Sequence, residues 1–346
     1  MTLIYWLIPI IVSIFVTYFN PKASPSPMPI KLIPNPSPLP CYFLSHGGPT
    51  FMYSKLGSKK SEGAATTIKN LGTKITNVLK PDYIVVVSAH WQSTKPNLIE
   101  ISIPKNGQLE NDLIYDFYGF PNYMYKELFK SKNSLEIAGS IKELLESNGF
   151  TSNLTQRGLD HGVWVPFKVA FTNHNQLSGV PPPPTWDIDI PIIQVSLTSD
   201  STDFDTHYKL GQVLNQLRSN NLLQQSTGKQ LKGMIVTSGM SVHNLRDLGI
   251  SMHQGGTVMS YVKPFNRLLN ATLTDCQKNR LYGLNAILTK YENLLYDAHP
   301  TLEHFVPIVV ASGVAEENKE NVKELYNAEE MSLGWGIYQF GADPKL

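Results

Sequence analysis

The sequence predicts an α/β fold: a single three-layer α/β/α domain, residues 41–346, built on a central mixed, mostly parallel sheet. Three observations point to it. From Cys41 onward, short β-branched runs alternate with amphipathic stretches of helical period. The alternation is regular enough to place helices on both faces of one sheet. Three of the apolar runs also hand over directly to histidine-bearing segments, at the strand ends where such sheets gather ligands.

The elements follow in order. Leu3–Phe19 is uncharged and strongly apolar, at the lower limit of the roughly 17–25 residues that span a bilayer. No Lys or Arg precedes it, unlike a secretory signal, and Lys22 follows it, which by the positive-inside rule leaves the bulk of the chain cytoplasmic. The segment is therefore either a signal anchor tethering the domain to a membrane or an extension ahead of a start at Met28. Residues 21–40 hold eight prolines and read as an extended linker. Tyr42–Leu44 and Tyr83–Ser88 read as buried strands, with a helix over Ala64–Leu79 between them. Tyr123–Asn148 contains one or two helices, and Val180–Pro184 is a loop. Ile190–Leu197 and Met234–Ser238 are strands around a helical Thr206–Leu223. Gly256–Tyr291 is helical for much of its length, and Thr301–Ala311 is a helix with Pro300 near its start, where a missing N–H costs little.

Composition narrows the chemistry. Net charge is +1 with 16% charged residues and no basic block, which does not fit a nucleic-acid binder. Cys41 and Cys276 are the only cysteines, so neither a disulfide framework nor a thiolate zinc module is available. A bound metal would need nitrogen and oxygen ligands, which favours zinc or non-haem iron. The sequons at Asn153 and Asn270 matter only in a lumenal domain, and nothing in the sequence sets the oligomeric state.

Six of the nine histidines lie in sharply written segments. His46 follows a strand and precedes Gly47-Gly48-Pro49; it is either a ligand or part of a plain strand-to-helix turn. His90 ends the most apolar run and is either a ligand or a capping residue packed on Trp91. Asp160 and His161 are adjacent, and neighbours on an extended segment point apart, so Asp160 reads as a supporting group rather than a partner of His161. His243, in a polar turn after a strand, is placed for general acid–base work or for a buried hydrogen bond to backbone. His299 and His304 are five apart, about 140° around a helix. They share a ligand shell only if His299 lies in the preceding turn. His174, His207 and His253 read as surface residues, and Trp164 and Phe167 as core.

Taken together, six segments resemble the class III extradiol ring-cleavage dioxygenases, in the branch similar to 4,5-DOPA dioxygenase. They are Ser45-His46-Gly47-Gly48-Pro49, Ser88-Ala89-His90-Trp91, Tyr115–Pro121, Asp160–Pro166, Ser241–Arg246 and His299–Phe305, colinear from about residue 41 to the C-terminus. The resemblance implies a non-haem Fe(II) enzyme that opens a small catechol such as DOPA with O2, beside its hydroxyl pair. It implies His46, His90 and His304 as metal ligands and His243 and His161 as catalytic groups. His299, Asp160 and Tyr118 would line the pocket or support the ligands from behind. Three neutral histidines also suit Zn(2+). Glu303 is expected to face away if His304 points inward. Two other readings stay open. One is a non-enzymatic metal-binding or interaction protein resembling the Memo family, against which retention of both His243 and His161 counts. The other is a zinc hydrolase, with Glu303 or Asp160 as its base.

Overall fold

The structure is a computed structural model that describes residues 30–53, 56–105, 108–275, 279–316 and 319–344. Eight strands form the central sheet: β1 (Cys41–Ser45), β2 (Tyr83–Gln92), β3 (Leu98–Ile103), β4 (Thr151–Gln156), β5 (Ile192–Leu197), β6 (Gly233–Gly239), β7 (Val322–Tyr326) and β8 (Ile337–Phe340). Their order is β7-β8-β1-β6-β2-β5-β3-β4. The four central strands are mutually parallel, and the antiparallel contacts lie at β7/β8, β8/β1 and β5/β3. The expected mixed sheet with helices on both faces is what forms.

Alternation along the strands sorts side chains into two cores, as a period of two requires. Cys41, Phe43, Tyr83, Val85 and Val87 face one core, which is covered by α2 (Leu135–Ser147), α4 (Phe204–Ser219), α6 (Val262–Thr274), α7 (Arg280–Lys290), α8 (Glu292–Ala298) and α9 (Val306–Val314), while α5 (Leu245–His253) is mostly exposed. Tyr42, Leu44, Ile84 and Val86 face the other, beneath α1 (Lys59–Lys74) and α3 (His161–Phe171). The helices begin where capping residues stand: the side chains of Ser58, Ser134 and Asp203 each accept a backbone N–H of the first turn. On α2 the buried positions are Ile137, Ala138, Ile141, Leu144 and Leu145, a single stripe.

α4 and α9 cross at bare backbone. A Cβ on Gly211 would lie 2.0 Å from Val310 O, and one on Gly313 would lie 2.0 Å from Tyr208 O. Gly211→Ala is therefore expected to destabilise the fold by about 1–3 kcal/mol or more. The check is a urea titration, where the midpoint should drop while the slope stays unchanged.

Several expectations are corrected. The helix expected over Thr301–Ala311 starts only at Val306. Residues 299–305 form a turn whose backbone is engaged elsewhere, with His304 O accepting from Met240 N at 3.0 Å, and it is Pro307 that occupies the first helical turn. The helix over Thr206–Leu223 stops at Ser219, because Asn220–Leu223 pairs antiparallel with Leu32–Pro34. That partner strand is the described end of the Pro-rich segment. Gly256–Tyr291 contains two helices, α6 and α7. His174 and His207 are buried, not surface residues: His174 bridges Lys168 and Asp187, and His207 lies between Thr198 and the Asp203 carbonyl. Among the described residues no helix is long and apolar enough to cross a membrane, and Leu3–Phe19 lies outside them.

Candidate metal centre and active site

The carboxyl ends of the central parallel strands bring five histidines together. His46 follows β1, His90 lies near the end of β2, and His243 lies in a short strand just after β6. His161 opens α3, and His304 sits in the turn before α9. His90 Nε2 is 3.2 Å from His46 Nε2 and 3.2 Å from His304 Nε2. Imidazole–metal bonds of about 2.0–2.1 Å, at tetrahedral to octahedral angles, put neighbouring nitrogens about 2.8–3.4 Å apart. The spacing fits one ion.

The outer ring nitrogens decide which way the lone pairs point. Pro166 lies inside α3 and has no N–H to give the Gly162 carbonyl one turn back. That carbonyl instead accepts the Ser238 hydroxyl. With its only proton used there, Ser238 Oγ must accept from His46 Nδ1, 3.0 Å away. His46 Nε2 is then the bare nitrogen. Glu303 does the same for His304, with Oε1 3.0 Å from Nδ1. His90 Nδ1 faces Asp116 Oδ2 at 3.6 Å. His46 and His304 thus each have an acceptor behind the ring and a lone pair directed inward, the arrangement in which histidines bind metals, and His90 has a carboxylate 3.6 Å from its outer nitrogen.

Glu303 therefore does not face away. It orients His304 from behind, which also removes it as a free base. The other residues divide clearly. His161 packs on His90 with ring centroids 4.0 Å apart. Asp116 accepts the His161 backbone N–H at 2.9 Å, and its Oδ1 lies 2.9 Å from Nδ1, off the line of a good hydrogen bond. His243 stacks on His304 at 3.6 Å with planes 14° apart. His299 is fully buried, its Nε2 3.0 Å from Ser241 O and its ring between Phe265 and Phe305, so it stands behind the cluster and not in it. Asp160 is 0% exposed, and Ser88, Gln194 and Arg157 surround its carboxylate. Tyr118 is 87% exposed, and it is its neighbour Phe117 that makes the contact with His161.

Two glycines of the motifs have steric reasons. Gly47 has φ +62°, and a Cβ there would press on Trp335 at 2.7 Å. A Cβ on Gly162 would meet Ser88 Oγ at 2.6 Å and His90 Cδ2 at 2.8 Å, so only glycine lets α3 start against the His90 ring.

Burial sets the protonation states. Desolvation, with the neighbouring histidines adding to it, holds His46 and His304 well below the ordinary histidine value. Desolvation likewise pulls His90 and His299 down to about 4 and His243 to about 3. For Asp116, burial pushes upward, but the close His161 ring and the His161 backbone N–H outweigh it and the net direction is down. His46, His90, His243, His299 and His304 are thus neutral at pH 7, the form in which imidazole binds metal. The depressed values mean that the unfolded chain takes up protons first, near pH 6.5. Metal-free protein should therefore keep its full stability above pH 6.5 and lose it progressively as pH falls toward 4. Thermal melts at pH 7.5 and 5 in chelator should show the drop; equal midpoints would contradict neutral burial.

Comparison with known proteins gives the family. Residues 40–340 match the family described as the catalytic LigB subunit of aromatic ring-opening dioxygenase. A 4,5-DOPA dioxygenase extradiol-like protein of Schizosaccharomyces pombe is 32% identical over 313 residues, covering 86% of this chain and 92% of that one. The 4,5-DOPA dioxygenase extradiol of Beta vulgaris is 32% identical over 305 residues, covering 86% and 95%. The crystal structure of an uncharacterized Escherichia coli K12 protein shares the fold, with TM-score 0.60 and 24% identity over 88% of this chain and 100% of that one. With its family model spanning almost the whole described fold and its histidines converged at the strand ends, this chain belongs to the LigB family of class III extradiol aromatic ring-opening dioxygenases.

Proposed function

We propose that the protein is an Fe(II)-dependent extradiol dioxygenase that opens a small catechol such as DOPA beside its hydroxyl pair. The observation that carries this is the trio of inward-facing Nε2 atoms on His46, His90 and His304, flanked by two further histidines. Three ligands on one side of an ion leave room for a catechol and O2. A bound Fe(II) would supply the redox chemistry that O2 incorporation requires, which Zn(2+) cannot. The names of the Schizosaccharomyces pombe and Beta vulgaris relatives support a DOPA-like substrate.

The chain's own residues handle protons and position. His243, neutral at rest, accepts a proton from a catechol hydroxyl as substrate binds and returns it during ring opening. An anionic substrate beside it raises its basicity, since opposite charge favours the protonated ring. His161, held by Asp116, offers a second polar group against His90. The zinc-hydrolase reading loses support, because Asp160 and Glu303 are both committed to other partners.

The test is anaerobic loading of metal-free protein with Fe(II) or Zn(2+), followed by DOPA and O2. Iron-loaded protein should consume O2 and form a coloured ring-opened semialdehyde, and zinc-loaded protein should not. Iron-bound protein that is inert toward every catechol would remove the proposal and leave a metal-binding protein of Memo-like character.

A further inference from the structure

Strand β2 leaves its ladder at the point where it carries His90. It pairs with β5 through Val87–Val195, and the next matched pair is Gln92–Leu197, so β2 advances five residues while β5 advances two. Extra residues of this kind re-aim side chains and leave backbone groups unpaired. Buried groups of that sort must find other partners. Here both come from one polar network. His90 N–H donates to Ser88 Oγ at 3.2 Å, and Ser88 Oγ donates to Asp160 Oδ1 at 2.7 Å. His90 O accepts from Arg157 Nη2 at 3.2 Å, while Arg157 Nη1 reaches Asp160 Oδ2, also at 3.2 Å. The guanidinium lies over Trp91, 4.5 Å from the ring centre, and Gln194 closes the network by donating to Asp160 Oδ2.

We propose that Arg157 is a positioning residue for the metal site, clamping the bulged end of β2 so that His90 Nε2 meets those of His46 and His304. The planar fork is what the task needs, because one side chain must hold a backbone carbonyl and a carboxylate at once. The carboxylate it holds belongs to Asp160, whose backbone carbonyl accepts from Val163 and Trp164 to start α3, so the same pair sets the place of His161. The inference rests on the metal-dependent reading above and extends it to a residue that touches neither metal nor substrate.

Arg157→Lys and Arg157→Gln separate positioning from plain stability. Lysine keeps the charge opposite Asp160, but a single ammonium replaces the fork. Both variants, shown folded by circular dichroism and metal-free melts, are titrated with Co²⁺ as an optical probe. Loss of a ligand's support typically weakens metal binding about 10–100-fold. Arg157→Gln should weaken Co²⁺ binding by that factor, and Arg157→Lys should fail to restore it. The Co²⁺ ligand-field absorption should change in both. Iron-loaded Arg157→Lys should lose kcat with KM little altered. A folded Arg157→Lys with wild-type Co²⁺ affinity and spectrum overturns the proposal and makes the pair a stability element only. Wild-type protein that binds Co²⁺ yet turns over no catechol would defeat the catalytic reading while leaving this one standing. Wild-type protein that binds no Co²⁺ would defeat both.

Discussion

His304→Ala should lose metal and activity together, whereas His299→Ala should keep both. The two residues are five apart in one short segment, but they face different surroundings. His304 Nε2 lies 3.2 Å from His90 Nε2, with Glu303 behind the ring. His299 Nε2 is spent on Ser241 O, and its ring is enclosed by Phe265 and Phe305. Removing one ligand of three is expected to cost more than the roughly 100-fold that marks the loss of a ligand's support. Turnover should then fall below detection. His299→Ala leaves a cavity next to two phenylalanines, so its expected penalty is in stability, about 2–4 kcal/mol by analogy with other large-to-small core changes. Metal content after anaerobic purification and dialysis checks the contrast. Full occupancy in His304→Ala would displace it from the ligand set.

His243→Gln should separate chemistry from metal binding. Its ring stacks face to face on His304 without taking part in the trio of facing Nε2 atoms. If it carries the proton of the catechol hydroxyl, its loss lowers kcat by about 10²–10⁴-fold, the usual worth of a positioned acid–base group. Metal content should stay at the wild-type level. Glutamine retains bulk and polarity against His304, so the ligand should stay in place. A variant with wild-type kcat would transfer the proton-handling role to His161, the other histidine flanking the trio. The contrasting partners make the comparison informative: Asp116 accepts the His161 backbone N–H, while His243 packs on the His304 ring.

Much of this was legible in the residue order. The strands at Cys41–Ser45, Tyr83–Gln92, Ile192–Leu197 and Gly233–Gly239 are continuous apolar runs because both of their faces are buried, and such runs stand out. β4, Thr-Ser-Asn-Leu-Thr-Gln, did not stand out, since an edge strand exposes one side and carries polar residues there. Asn220–Leu223 continues a helical pattern and becomes a strand only because Leu32–Pro34 lies beside it. Within the site, the histidines were visible because their residue type is chemically rare and their segments are distinctive. Their supports were not. Asp116, Arg157, Gln194 and Ser238 are ordinary polar residues, separated by tens of positions from the histidines and the Asp160 carboxylate they contact.

The sequence by itself determined the fold class, the family and the histidines from which the site is drawn, because apolar periodicity and rare side chains are local properties of the chain. Only the tertiary structure decided which histidines face one point and which nitrogen each presents. It turned His299 into the core and His304 toward the other histidines from the same turn, placed Glu303 behind the His304 ring, and used the carbonyl freed by Pro166 to orient His46 through Ser238. A lone pair's direction depends on what stands on the far side of the ring, and here those neighbours come from other strands and helices.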